Sequence, residues 1–307
     1  MRVAMTGSSG FIGRAVAERL EGRGDQVVRV RRGSPDEPGA DWDPAGWFRP
    51  GALEGVDAVV QLGGESIGAK GWSAVRRAAL RSSRIDATRT LVEHLATLER
   101  PPRVLVAASA IGYYGADRGD EELTEAATMG EGFLAELTHD WEAVAAPASA
   151  AGVRVVHARF APVLALHGEL MQRLLPPFRM GAGGPLGSGR QWFSWVTLHD
   201  AVEAIVFALD HDEMTGPVNV AAPGAVTNAR FTRALGHVLH RPTVLPLPAF
   251  ALRAIFGRDR ADETLLASQR AVPARLLSAG FEFRDPEIDG ALTRLLHGAQ
   301  AQPAAAR

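Results

Sequence analysis

Arg2-Val-Ala-Met-Thr-Gly-Ser-Ser-Gly-Phe-Ile-Gly13 is the stretch from which the rest of the chain is read. Val3 to Met5 is a short apolar run, the signature of a buried strand. It ends in Thr6-Gly7-x-x-Gly10-x-x-Gly13, and a helical pattern opens at once, with Phe11, Ile12, Ala15, Val16 and Leu20 recurring every three to four residues. Gly7 permits the tight turn, Gly10 lets a pyrophosphate approach the backbone, and Gly13 lets helix and strand pack closely. Thr6, Gly7, Ser9, Gly10, Phe11, Ile12 and Gly13 are therefore candidate contacts to a dinucleotide, whose phosphates would face the helix N-terminus.

The next two strands add the remaining cofactor candidates. Gln26 to Arg31 reads as the second strand. An acid at its end would accept bonds from both ribose hydroxyls and favour NAD. Arg31 and Arg32 stand there instead, and guanidinium groups match a 2′-phosphate in charge and shape, which favours NADP(H) over NAD(H). The plainer alternative is a pair of solvated loop arginines. Residues 33–56 read as an irregular loop. Asp57 to Leu62 is the third strand, and Leu62, Gly63 and Gly64 form a place where backbone can pass close to the cofactor. Trp72 to Glu99 reads as one long helical segment. Its arginines fit an ordinary solvated stripe, but Lys70, Arg81 and Arg84 fall on the cofactor side, and Arg84 is the phosphate candidate among them.

Val104 to Ala108 is the fourth strand and leads into Ser109-Ala-Ile-Gly-Tyr-Tyr-Gly115. A serine at the carboxyl end of a central strand points into the crevice where doubly wound sheets bind ligands. Ser109, Tyr113 and Tyr114 are the catalytic candidates; the alternative is a turn with two core tyrosines. Further on, residues 116–130 read as acidic and irregular, Gly132 to Ala151 as a helix, and Val153 to Arg159 as the fifth strand. Leu170–Leu175 reads as a helix, Pro176-Pro177 and Gly181–Gly189 as a loop, and Gln191–Val196 as a strand. Thr197-x-x-Asp200 looks like a helix cap, with His199 and Asp200 as capping and surface residues. Phe281 and Phe283 alternate in strand fashion.

Composition narrows the function. At 307 residues and 46% hydrophobic, the chain can build a sizeable core. A net charge of −2 argues against general attraction to nucleic acid or an acidic membrane. With no cysteine, disulfides, thiol catalysis and cysteine–zinc sites are excluded. The nine histidines include no His-Glu-x-x-His, so a catalytic metal is not expected. With the first strand beginning at Met1 and no membrane-length apolar run, the expected compartment is the cytoplasm and the expected partner a small-molecule substrate. Of the 33 basic residues only Lys70 is lysine, a general bias that cautions against over-reading any one arginine.

The β–α alternation over residues 1–160 predicts an α/β fold with a doubly wound parallel sheet. The motif at 6–13, Ser109-Ala-Ile-Gly-Tyr-Tyr-Gly115, Gly187-Ser-Gly-Arg-Gln-Trp-Phe-Ser-Trp195, Gly216-Pro-Val-Asn-Val-Ala-Ala-Pro223 and Leu276-Leu-x-x-Gly-Phe-x-Phe283 resemble the extended short-chain dehydrogenase/reductase superfamily. Together they resemble its group of epimerase family proteins, atypical NAD-dependent epimerase/dehydratase-like chains with their own C-terminal domain. The resemblance implies a Rossmann-type, NADP-binding core over residues 1–160 and a smaller C-terminal α+β substrate lobe from residue 161 to 307, with residues 197–212 returning to the core; the Ala-, Gln- and Pro-rich tail 298–307 reads as frayed. Homodimers are common in that superfamily, although the sequence carries no hydrophobic stripe that marks an interface.

The superfamily's working pair, Tyr-x-x-x-Lys, is missing. The matching helix reads Phe133-Leu-Ala-Glu-Leu-Thr-His-Asp-Trp-Glu142 and contains neither residue. Ser109 carries over as the superfamily's serine. Any acid or base must come from Tyr113, Tyr114, His139 or Glu142, and the last two read as solvated helix positions. Two functions follow as expectations. One is an NADP(H)-dependent oxidoreductase or epimerase-like enzyme acting on a carbonyl or alcohol. The other is a dinucleotide-binding sensor or scaffold without turnover.

Overall fold

The computed structural model describes residues 1–68 and 71–298. Lys70 and the tail from residue 299 lie outside the described residues. Six strands form the central sheet: β1 (Arg2–Thr6), β2 (Gln26–Arg29), β3 (Ala58–Gln61), β4 (Val104–Ala110), β5 (Arg154–Phe160) and β6 (Gly216–Val220). Their order is β6-β5-β4-β3-β1-β2. Val3, Ala4 and Met5 of β1 pair in parallel with Val27, Val28 and Arg29 on one side and with Ala58, Val59 and Val60 on the other. The chain therefore turns from β1 to one flank, then crosses to the other, which opens a crevice at the carboxyl ends of β1 and β3. Every residue of β3 is buried, as befits a strand covered on both faces.

The chain divides into two compact units. The first comprises Met1–Tyr113, Leu134–Arg159 and Val202–Val218; the second comprises Tyr114–Phe133, Phe160–Ala201 and the chain from Asn219 onward. In the first, Val59, Leu105 and Val155 of the sheet pack with Leu91 and Leu95 of a helix over Ile85–Leu95. In the second, Met171, Leu175 and Phe178 share a core with Phe231, Leu235 and Leu292.

Several elements differ from the sequence reading, each for a local reason. The expected helix over Trp72–Glu99 is two helices, Ala74–Ser82 and Ile85–Leu95. At the break, the Ser83 hydroxyl donates to the Leu80 carbonyl, a side-chain competitor for the helix ladder. The loop over 33–56 contains a small antiparallel pair, Trp42–Asp43 with Trp47–Phe48. Asp117–Leu123, expected to be irregular, is a strand paired with Ser268–Ala271, and Arg270 bonds Glu122 across it. Backbone pairing there needs no apolar alternation. A helix over Glu169–Arg179 runs through Pro176 and Pro177, because buried Met171, Leu175 and Phe178 hold it against its core. Phe281 and Phe283 form no strand; their rings meet edge-on at 4.7 Å.

Thr197 caps the helix Leu198–Asp210 by accepting from the Asp200 N–H. Asp200 itself is a correction: it is buried, and its carboxylate accepts from the N–H groups of Arg284 and Asp285. Among the described residues no helix is long and apolar enough to cross a membrane.

One glycine offers a stability test. Gly290 lies in the helix Ile288–His297, and a Cβ there would meet nothing within 4 Å. Gly290→Ala should stabilise the protein by about 0.5–1 kcal/mol, read as a higher denaturation midpoint.

Candidate functional site

The glycine turn is fixed by contact. Gly7 has φ +71°, and a Cβ there would lie 2.7 Å from the Gly63 nitrogen. A Cβ on Gly13 would lie 2.1 Å from the Gly7 carbonyl oxygen. The helix that follows, α1 (Phe11–Gly22), has Gly10 at its N-cap, no capping side chain and no acid in its first turn. Its first N–H groups are thus left for an anion. Thr6, the last residue of β1, is buried with its Oγ1 unpartnered among the described residues.

A cavity of about 700 Å³ opens above this turn. Gly7, Ser8, Ser9, Gly63 and Gly64 line it, with Arg29, Arg31 and Arg32 on its wall. Gln61 lines it too. Gln61 is 1% exposed; its Nε2 donates to Thr88 Oγ1 at 2.8 Å, and its Oε1 has no partner among the described residues. The two acids on the wall are engaged: Asp43 accepts from the Ala45 N–H, and Glu65 pairs with Arg76.

The other cofactor candidates fall around this cavity. β2 stops at Arg29, so Arg31 and Arg32 sit on the exposed loop beyond it. Phe11 and Ile12 are half-buried at the start of α1, and Leu62 underlies the close approach of Gly7. Arg84 does not line the cavity. Its guanidinium is buried 5.3 Å from the centre of the Trp141 ring and donates to the Glu65 carbonyl. A Cβ on Gly64 would meet it at 3.3 Å, so Arg84 supports the Gly63-Gly64 backbone from behind. Burial, with repulsion from Arg76 added, pushes Arg84 down to about 10. Arg14, missed in the sequence, joins Arg29, Ser8 and Ser9 around an adjoining cavity of about 310 Å³. Its position one turn into α1 is the signal that could have found it.

Ser109 is the penultimate residue of β4, and its hydroxyl donates to Glu142 Oε1 at 2.5 Å. Glu142 comes from the helix Phe133–Ala145. Gly112 brings that helix close, since a Cβ there would lie 3.2 Å from Leu134 Cβ. Arg159, on β5 and 3% exposed, grips both oxygens of Glu142: Nε to Oε1 at 2.8 Å and Nη2 to Oε2 at 2.7 Å. The same guanidinium lies 3.5 Å from the centre of the Tyr113 ring. Glu142, read from the sequence as a solvated position, is thus the centre of a buried polar cluster. Tyr114 goes elsewhere: it is fully buried and donates to Asn219 Oδ1 at 2.7 Å within the second unit. His139 is exposed, its ring 6.4 Å from Tyr113. Among the described residues no group of three or more His, Asp or Glu is placed to hold a metal ion.

A sequence model of the NAD dependent epimerase/dehydratase family matches residues 3–221, from β1 to just past the end of β6. The chain belongs to the NAD dependent epimerase/dehydratase family. A second model, a domain of unknown function (DUF1731), matches residues 247–295. An epimerase family protein of Mycobacterium leprae is 43% identical over 95% of this chain and 94% of its own length. The crystal structure of human epimerase family protein SDR39U1 (isoform 2) with NADPH superposes with a TM-score of 0.85, at 31% identity over 97% of this chain and 99% of that one. A nucleoside-diphosphate sugar epimerase from Corynebacterium glutamicum gives 0.78 at 34% identity, over 98% of this chain and 60% of that one.

Epimerase/dehydratase membership supports a nicotinamide dinucleotide as cofactor. The residues fit one: the turn at Gly7 keeps the backbone bare of side chains, and the uncapped helix terminus leaves N–H groups for a pyrophosphate. On the Phe133–Ala145 helix of this family member, Phe133, Leu137 and Trp141 are buried and apolar, and the one acid turned toward Ser109 is Glu142.

The cluster also predicts a pH dependence. Burial, partly offset by Glu142 and reinforced by Arg159, holds His157 below its ordinary range, and burial does the same to His94. Both groups take up protons more readily in the unfolded chain. Stability should therefore be full above about pH 6.5 and fall as pH drops from there toward the folded-state values. Denaturant midpoints at pH 7.5 and 5.5 should differ in that direction, and His157→Gln should reduce the difference.

Proposed function

We propose that this chain is an NADP(H)-dependent oxidoreductase or epimerase-like enzyme acting on an alcohol or carbonyl substrate. The observation that carries this reading is one shared cavity: the glycine turn and Arg29, Arg31 and Arg32 all open to it. Arg31 and Arg32 supply charge and fork geometry for a 2′-phosphate, while both wall acids are engaged elsewhere and Arg29 is paired with Glu21. The NADPH held by the human relative supports the same preference.

When bound, the nicotinamide supplies a hydride donor or acceptor. The backbone at Gly7 and Gly63 and the first turn of α1 hold the pyrophosphate. Ser109 meets the substrate oxygen, and Tyr113, held against Arg159, orients it. Tyr114 is left out because its hydroxyl is committed to Asn219.

Titration with NADPH and NADH tests this. NADPH should bind more tightly, and Arg31→Ala with Arg32→Ala should weaken NADPH by about 100-fold while leaving NADH little changed, given roughly 1.5–3 kcal/mol per charged hydrogen bond. Equal affinities, or a double variant that behaves as wild type, would remove the NADP reading. A sensor without turnover is the second reading, favoured by the apolar Phe133 and Leu137. It predicts tight NADPH binding and no redox change with any carbonyl compound.

A further inference from the structure

We infer that Glu142 fixes the polarity of Ser109, making its oxygen a hydrogen-bond acceptor, so that the site takes its substrate as the hydroxyl form. This rests on the reading that Ser109 meets the substrate oxygen.

A serine hydroxyl has one proton and two lone pairs. The Ser109 proton is directed at Glu142 Oε1, 2.5 Å away, a short distance of the kind found for a hydroxyl on a carboxylate. What Ser109 has left for a ligand is a lone pair, and only a donor can use it. An alcohol O–H can donate there; a ketone oxygen cannot.

Glu142 is held in that role by two independent constraints. Arg159 bonds both of its oxygens, so the carboxylate cannot rotate away from Ser109 without breaking a bidentate pair. The guanidinium is buried and braced against the Tyr113 ring, so it cannot easily follow. Other groups packed near the carboxylate do not reverse the polarity: His157 is partly buried on β5, and burial disfavours its charged form. Glu142 is therefore a positioning residue. It acts on a ligand through Ser109, and a hydroxyl-bearing class of compound is what the arrangement selects.

Neutron diffraction of the deuterium-exchanged protein tests the polarity without any ligand. The deuteron shared by Ser109 and Glu142 should reside on Ser109 Oγ. A deuteron on Glu142 aimed at Ser109 would overturn the proposal. Matched probes then test the selection: cyclohexanol and cyclohexanone, with ligand-observed NMR on the NADPH-loaded protein. Wild type should favour the alcohol by roughly tenfold, the worth of one good hydrogen bond. Glu142→Met with Arg159→Met, which removes the carboxylate together with its countercharge and frees the Ser109 proton for a ketone oxygen, should erase that preference while NADPH affinity stays unchanged. A wild-type preference for the ketone, or an alcohol preference untouched by the double variant, would overturn it. If neither probe binds, the deuteron position decides. Failure of NADPH to bind wild type would sink the cofactor reading instead and leave the Ser109 polarity standing.

Discussion

Gly13→Val is expected to abolish dinucleotide binding, with NADPH affinity falling at least about 100-fold, or roughly 3 kcal/mol. The reason is a collision that cannot relax cheaply. A Cβ at this position would sit 2.1 Å from the Gly7 oxygen, 2.9 Å from its carbonyl carbon and 3.0 Å from the Ser8 Cα. All three atoms are backbone, and the first belongs to the residue whose own turn is pressed against Gly63. The added methyl groups must push α1 off β1 or open the turn, and either movement removes the N–H groups from the phosphates. Calorimetric titration with NADPH, alongside circular dichroism to check that the helices persist, measures the effect. A folded variant that keeps wild-type affinity would show that the phosphates do not sit on this turn.

Arg159→Met should destabilise the first unit by about 3–5 kcal/mol, read from denaturant unfolding. The methionine fills similar volume but leaves the Glu142 carboxylate, itself largely buried, without its countercharge. Removing one partner of a buried pair is far more damaging than removing both. Arg159→Met with Glu142→Met should therefore recover most of the loss. A single variant that costs under about 1 kcal/mol would mean that water reaches the carboxylate and the pair behaves as a surface bridge.

In one dimension the chain discloses contacts between near neighbours and conceals those made between separate elements. Gly13 was legible because its role depends on neighbours six residues away, within one turn, and spacing alone carries that information. The missing Tyr-x-x-x-Lys was legible for the same reason. Arg159 and Glu142 were not. They lie on different elements, and only the packing of the Phe133–Ala145 helix against β4 and β5 turns them toward Ser109. A glutamate on a helix reads as solvated until its neighbours are known. Asp200 misled in the same way: it looks like a cap, but its carboxylate serves two N–H groups more than eighty positions along the chain. The strand Asp117–Leu123 escaped notice because its stability comes from backbone pairing with Ser268–Ala271 rather than from any apolar rhythm. Arg31 and Arg32 stand between these cases: the charge was visible, but not that β2 would end at Arg29 and leave both on a loop.

The division of the chain into interleaved stretches has a consequence for biogenesis. The first unit is not finished until Val218 has been made, because Val202–Val218 belongs to it and β6 closes one edge of the sheet. At roughly 5–20 residues per second, a ribosome needs about 10–40 s to make residues 1–218. During that interval β1, β3 and β4, whose side chains are almost wholly buried in the finished sheet, must wait with an incomplete partner set. A nascent chain stalled just before Gly216 should therefore be a good client for chaperones that hold exposed apolar segments. One released after the helix Ile288–His297 should not.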